Sequence, residues 1–192
     1  MTSEPIVRFR ELLAQAAQLG SQNYNAFALA TTGDDRQPSV RMLLLKEVDE
    51  RGLVFYTNLE SHKARQLADN PRAAACFWWA PLQRQVRIEG WIERISDREA
   101  DEYFTTRPRG SQLGAWASHQ SSTISSRDQL LSAVALYADK YKDQPVPRPP
   151  HWSGYRLVPE RIEFWKEQPD RLHEREVYTR QPNGWTISLL AP

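Results

Sequence analysis

Cysteine is almost missing from this chain: Cys76 stands alone among 192 residues. That excludes an intrachain disulfide and leaves too few thiolates for a cysteine-rich metal site. Cys76 lies in the apolar run AAACFWWA, where a buried, inert thiol is expected. Net charge is nearly absent as well. With 25 Lys plus Arg against 24 Asp plus Glu, no bulk field exists to hold nucleic acid or an anionic membrane, so any anion site must be built locally. No segment reaches the roughly 18 uncharged apolar residues of a membrane span, and MTSEPIVRFRELL lacks the apolar core and cleavage signal of a secretory leader. A cytoplasmic location is expected. Glycine-rich phosphate loops and a GxSxG elbow are also lacking. His62, His119, His151 and His173 show no metal-like spacing, so no metal centre is expected.

What is present is apolar and aromatic. Hydrophobic residues make up 40% of the chain, with 7 Trp, 7 Tyr and 6 Phe, which suits one domain over residues 1–192 with a sizeable core. Ile6, Phe9, Leu13 and Ala16 or Ala17 recur at helical spacing, with Pro5 near the start and Gly20 past the end, predicting a helix over about 5–19. From Ala26 the pattern changes to short β-prone runs, AFALATT, PSVRMLLLK and GLVFYTN, separated by the turn-like GDDRQ and EVDER. SHKARQLADNP reads as a short helix, and RAAACFWWA and RQVRIEGWIERI as two more strands. In the latter, Val86, Ile88, Gly90 and Ile92 alternate with Gln85, Arg87, Glu89 and Trp91, so one face is core. Ser96 with Glu99, and Ser126 with Gln129, form capping-box patterns that open two further helices. QPVPRPP is a stiff connector, and GYRLVPERIEFWKE, RLHEREVYTR and GWTISLL return the chain to strands over about 153–190. At least seven strands without regular strand-helix alternation predict a mainly β fold, a barrel-like antiparallel sheet with peripheral helices.

Four places could hold an anion. PSVRMLLLK sets Arg41, Leu43 and Leu45 on one face and Met42, Leu44 and Lys46 on the other. GLVFYTNLESHKA puts Tyr56 and Thr57 at a strand end and His62 and Lys63 at the start of a helix, a plausible phosphate cradle. The stretch YFTTRPRGSQLGAWASHQSS gathers Tyr103, Arg107, Arg109, Ser111, Gln112, Gln120, Ser121 and Ser122 around a Gly-Ala-Trp turn and reads as a donor-rich loop. RLHER, read as a strand, points Arg171, His173 and Arg175 the same way near Trp165, which suits a planar anionic ligand. Each also has an ordinary reading, as solvated or salt-bridged surface. No nucleophile assembles, which points to a bound cofactor doing the hard chemistry.

In this order, NAFALATT, RMLLLK, GLVFYTN, SHKA, NPRAA, RQVRIEG, YFTTRPRGSQLGAW, SHQSS, HWSGYR, IEFW, RLHER and the final LAP resemble the pyridoxamine 5'-phosphate oxidase family from about Asn25 to the C-terminus. The resemblance implies an FMN-binding split β-barrel and a homodimer with the flavin between subunits. It implies oxidation of pyridoxamine or pyridoxine 5'-phosphate to pyridoxal 5'-phosphate, with O2 as acceptor and H2O2 as product. The family's flavin contacts fall on Arg41, Met42, Leu43, Leu44, Leu45, Lys46, Tyr56, Thr57, Lys63, Gln85, Gln120, Ser121, Trp165 and Arg175. Its substrate phosphate contacts fall on Lys46, Tyr103, Arg107 and Ser111, and its pair over the pyridine ring, the catalytic candidates, on Arg171 and His173.

Two departures carry expectations. His62 stands in the flavin phosphate turn where many members have arginine, so FMN affinity is expected to be weaker and more pH-dependent. The basic, tyrosine-containing segment that in relatives folds over the site is not found before the first helix, which puts lid closure and turnover in question. Two alternatives stay open: a split-barrel flavoprotein reductase of another substrate, and a non-catalytic carrier of pyridoxal phosphate or flavin.

Overall fold

The computed structural model describes residues 5–20 and 22–192. The readings made for the segment before the first helix fall largely on residues 1–4 and lie outside the described residues. Helix α1 (Pro5–Gln18) begins at Pro5, whose missing N–H costs nothing in a first turn, and buries Ile6, Phe9, Leu12 and Ala16. Strands β1 (Ala26–Thr32), β2 (Pro38–Leu44), β3 (Glu47–Val48), β4 (Leu53–Asn58), β5 (Arg72–Trp79), β6 (Arg84–Arg94), β7 (Trp152–Lys166), β8 (Glu174–Gln181) and β9 (Gly184–Leu189) form one sheet. All its pairings among the described residues are antiparallel. Its order is β2-β1-β5-β6-β7-β4-β3, with β8 and β9 continuing from β7. The sheet curls into a half-barrel with the helices outside it.

The core lies under α1. Phe9 meets Phe77 edge-on at 5.0 Å, Phe77 stacks on Phe27 at 5.1 Å, and Phe27 meets Phe55 at 5.9 Å. Fully burying each such ring contributes about 1.5–3 kcal/mol relative to exposure. The helices α2 (His62–Asp69), α3 (Asp97–Thr106), α4 (Arg109–Ala117) and α5 (Arg127–Lys140) complete the chain. The Ser96–Glu99 capping box at α3 is present in full. At α5, Ser126 caps the Gln129 N–H, but the Gln129 side chain turns to Ser125 instead.

One strand organises the rest. β7 runs for 15 residues, so if straight its ends stand roughly 45 Å apart at about 3.3 Å per residue. It pairs with β6 along most of its length, with β4 at Trp152–Leu157 and with β8 at Arg161–Lys166. A bulge at Glu89/Gly90 interrupts the β6–β7 register. Gly90 is required there, because a Cβ would sit 2.1 Å from the Val158 carbonyl oxygen.

Several expectations are corrected. The stretch read as a loop around a Gly-Ala-Trp turn is mostly helix: α3 runs to Thr106 and α4 takes in Gly114, Ala115 and Trp116. Pro108 at the N-cap position permits a helix start, and Leu113 and Ala117, four apart, are buried on one face. RLHER is not one strand. Pro169–Arg171 forms a 3-10 turn in the β7–β8 connection, Asp170 and Arg171 take φ of 56° and 61°, and β8 begins only at Glu174. Strand alternation therefore does not align Arg171 and His173 with Arg175. EVDER contains β3 before its turn. β2 ends at Leu44, leaving Lys46 just beyond the strand, with its N–H on the Val54 carbonyl. Cys76 is half-buried rather than buried, though burial still pushes its thiol pKa up, as an inert thiol requires.

Candidate functional site

The predicted residues gather into two groups at opposite ends of β7. At the Trp152 end, β2, β4, α2 and α4 enclose two adjoining hollows of about 380 and 450 Å³ that share Leu43, Tyr56, Arg107, Ser111 and Trp152. Lys63 projects from the first turn of α2 into this space and is 7% exposed. Its Nζ donates to Thr57 Oγ1 at 2.9 Å, Ser61 Oγ at 3.2 Å and Gln120 Oε1 at 2.6 Å. All three acceptors are neutral. Burial, with the Arg41 guanidinium adding like-charge repulsion, lowers the Lys63 pKa to about 8. Ser61 serves twice, since the same hydroxyl caps α2 at the Ala64 N–H.

Arg41 faces inward as the alternation of β2 predicts. It donates to the Leu29 carbonyl at 3.1 Å and Thr31 Oγ1 at 2.6 Å. Gln66, one turn beyond Lys63, accepts from Arg41 at 3.4 Å and from Thr31 at 2.6 Å, while its amide donates to Ser39. Burial lowers the Arg41 pKa. Met42 and Leu44 lie on the exposed face of the strand and Leu45 on the buried one. His62 is exposed, with its backbone N–H on Ser121 Oγ at 3.1 Å and its Nε2 3.3 Å from Ser39 Oγ.

The rest of this half-site is aromatic. Tyr56, Tyr103 and Trp152 form a cluster of nearly parallel rings, Tyr56 lying 3.9 Å from Tyr103 and 5.2 Å from Trp152, with those two 6.2 Å apart. The backbone permits this because Tyr56 pairs with Gly154, where a Cβ would meet the Tyr56 ring at 2.9 Å. Glu47 accepts the Tyr56 hydroxyl at 3.0 Å; burial first, then this carboxylate, raises the tyrosine's pKa. Arg107 lies 4.6 Å over the Trp152 ring, its pKa lowered by burial. Its Nη1 is buried with no hydrogen-bond partner among the described residues. Lys46 reaches to within 6.0 Å of the Tyr103 ring. Arg109, grouped with these by the sequence, instead donates to the Tyr141 and Gln144 carbonyls after α5 and is structural.

At the other end of β7, Trp78, Gln85, Trp165 and Arg175 lie side by side across four strands, each the register partner of the next. Trp78 approaches Trp165 at 6.0 Å, and His173 packs on Trp165 at 4.5 Å, accepting the Gln168 N–H through Nδ1 at 3.3 Å. A hollow of about 360 Å³ is lined by His173, Arg175, Arg8 and Lys166 among others, and shares no residue with the two at the Trp152 end. Arg171 is exposed and lines none of these hollows. Arg175 is not a free cation: Glu163 on β7 accepts from its Nε at 2.8 Å. Sequence reasoning missed Glu163, Gln66 and Trp152. Gln66 was within reach, three positions after Lys63 on one helical face, whereas Glu163 pairs across strands and shows only in register.

An unpartnered buried guanidinium nitrogen, a depressed lysine held by neutral acceptors, and Arg41 beside it make the first half-site electron-poor and ready for phosphate. The second offers indole faces and an amide for a flat ring. Taken separately, the donors of the first group suit the phosphate of FMN and those of the second suit its ring system, and in one chain the two stand at opposite ends of β7. The sequence profile of the pyridoxamine 5'-phosphate oxidase family matches residues 13–166, and that of the pyridoxine 5'-phosphate oxidase C-terminal dimerisation region matches 152–192. The chain belongs to this oxidase family. A pyridoxine/pyridoxamine 5'-phosphate oxidase of Myxococcus xanthus (strain DK1622) is 54% identical over 189 residues, covering 98% of this chain and 92% of the relative. One of Burkholderia multivorans is 50% identical over 98% of this chain and 89% of its own length. The crystal structure of PhzG from Burkholderia lata 383, in complex with tetrahydrophenazine-1-carboxylic acid, has a TM-score of 0.94 at 33% identity, covering 99% of this chain and 93% of that one. A pyridoxamine 5'-phosphate oxidase-related, FMN-binding protein of Nostoc punctiforme shares the fold, with a TM-score of 0.78 at 19% identity over the full length of both chains. Among the described residues of this family member, no helix is long and apolar enough to cross a membrane.

Proposed function

We propose that the protein is an FMN-dependent oxidase of pyridoxamine or pyridoxine 5'-phosphate, forming pyridoxal 5'-phosphate with reduction of O2 to H2O2. The observation that carries this reading is the set Lys46, Tyr103, Arg107 and Ser111 around one hollow, with the buried Arg107 nitrogen unpartnered. Two cations and two hydroxyls suit a phosphate dianion. The site is completed by a second copy of the chain, because the flavin-ring residues Gln85, Trp165 and Arg175 stand at the far end of β7 from Lys63 and Thr57. In such a dimer the C-terminal half-site of one protomer faces the first half-site of its partner, in keeping with the dimerisation region at 152–192.

In this arrangement Arg41, Lys63, Thr57 and the Gln120–Ser121 segment hold the flavin phosphate, with His62 at the edge. Leu43 and Leu45 supply apolar wall. Bound there, FMN would supply the hydride acceptor and the route by which electrons reach oxygen. Lys46, Arg107, Ser111 and Tyr103 hold the substrate phosphate and so fix the distance of its pyridine ring from the flavin. His173, on the Trp165 face, and Arg171, carried on the left-handed turn, orient that ring and offset charge developing on it. The indole and tyrosine rings exclude water.

The test is aerobic incubation of FMN-reconstituted protein with pyridoxamine 5'-phosphate, following pyridoxal 5'-phosphate and peroxide together. Equal yields are expected. Flavin binding with neither product would overturn the reading. The likeness to PhzG favours one competing reading, an oxidase of a bulkier unphosphorylated substrate. In that case Arg107→Ala would leave turnover of the true substrate unchanged.

A further inference from the structure

Glu163 lies in the middle of β7, 1% exposed, on the sheet face that carries Trp165 and Arg175. Three arginines from three strands converge on it. Oε1 accepts from Arg175 Nε at 2.8 Å and from Arg87; Oε2 accepts from Arg175 Nη2 at 3.2 Å and from Arg161 Nη2 at 3.3 Å. Burial opposes ionisation of this carboxyl, but the Arg175 and Arg87 guanidiniums outweigh it and hold its pKa below the usual range. Stability alone does not account for such a group, because a buried ion pair is often no more stabilising than apolar residues of the same volume.

What the arrangement does provide is orientation. Arg175 is gripped on its Nε edge by both oxygens of Glu163, and its Nη1 donates to the Ala191 carbonyl at 2.9 Å, while its own carbonyl accepts the Leu190 N–H at 2.9 Å. Three of the five guanidinium N–H groups are thereby used. Its charge is offset in part by a carboxylate that Arg87 and Arg161 share, in contrast to Lys63 and Arg41, whose hydrogen-bond partners are neutral. A carboxylate-paired guanidinium fixed in orientation beside Gln85 and Trp165 suits the polar edge of a planar ring. We propose that Glu163 is a positioning residue of the flavin site, which together with the Ala191 carbonyl sets the Arg175 guanidinium so that its remaining N–H groups meet the ring end of the flavin. The proposal rests on the FMN reading above.

The experiment measures dissociation constants of FMN and of riboflavin, which lacks the phosphate, by quenching of flavin fluorescence. Glu163→Gln is expected to weaken both ligands by the same factor, roughly tenfold, and to add nothing in an Arg175→Ala background. Lys63→Met should weaken FMN alone. Arg175→Lys keeps the charge but not the two-point grip, and is expected to lose as much as Arg175→Ala even if Glu163→Gln does not fold. Arg161→Ala, which removes another partner of the same carboxylate, should leave both constants within about twofold. If Arg175→Ala weakens binding while Arg175→Lys and Glu163→Gln do not, positioning is refuted and the flavin reading stands. If Arg175→Ala changes neither constant, the assignment of Arg175 to the flavin fails, and this proposal with it.

Discussion

On the FMN reading proposed above, the depressed pKa of Lys63 makes flavin retention depend on pH in a calculable way. Its ammonium is surrounded by neutral acceptors and a second cation, and titrates at about 8 in the ligand-free protein. About nine-tenths is charged at pH 7 and about one-tenth at pH 9. A bound phosphate dianion restores the proton, so each binding event above pH 8 must take one up. If only the charged amine binds the phosphate, affinity for FMN falls by roughly tenfold between pH 7 and pH 9, or about 1.4 kcal/mol. Titration of FMN at several pH values, read by fluorescence quenching, gives the slope; Lys63→Met controls for every other titrating group and should flatten it. Arg41→Met removes the like charge and should move the midpoint above 8, though it weakens binding overall. The stability of the ligand-free protein has the opposite sense: the folded pKa lies below the unfolded value of 10.5. The unfolded chain therefore holds more protons between pH 8 and 10.5, and stability rises across that window by up to roughly 3 kcal/mol. A slope shared equally by wild type and Lys63→Met would refute the reasoning.

Arg107→Ala should raise the KM for pyridoxine 5'-phosphate roughly 10- to 100-fold through loss of a charge-assisted contact while leaving FMN affinity unchanged, as steady-state kinetics and flavin titration would check. Gly90→Ala drives a methyl group against the Val158 carbonyl and should cost roughly 2–4 kcal/mol, visible as a lower denaturation midpoint. At the start of α3, hydrogen bonds from Ser96, supported by Arg156, lower the Glu99 pKa to about 2 against burial. Glu99 thus stabilises the fold above its unfolded pKa of 4.5 and loses that contribution as the pH falls from there towards 2. Ser96→Ala should lower the melting temperature at pH 7 and flatten the acid limb of an equilibrium unfolding series.

The elements that sequence periodicity predicted well are those whose inner face is wholly apolar. In β6, Val86, Ile88 and Ile92 face the core in strict alternation, and in α1 Phe9 and Ala16 recur at helical spacing. α4 was hidden because its glycines and the preceding proline are loop residues by composition, and only Leu113 and Ala117 mark its buried face. The β7–β8 connection was hidden for a different reason: Arg171 and His173 alternate in sequence, yet the left-handed turn at Asp170 breaks the strand before Glu174. The half-site at the Trp152 end of β7 was partly legible, since Thr57, Ser61 and Lys63 are close in sequence. Glu163 was not, because two of its three partners, Arg87 on β6 and Arg175 on β8, meet it only through antiparallel register.

The length of β7 has a genetic corollary. On the two-chain reading, each site borrows one end of this strand from each protomer, so lesions at Lys63 and at Arg175 damage different halves. A mixed population made from the two mutant chains would contain pairs in which one pocket carries both defects and the other carries neither. Two alleles, each inactive alone, should then complement one another, and the restored activity should not exceed one competent pocket per hybrid pair.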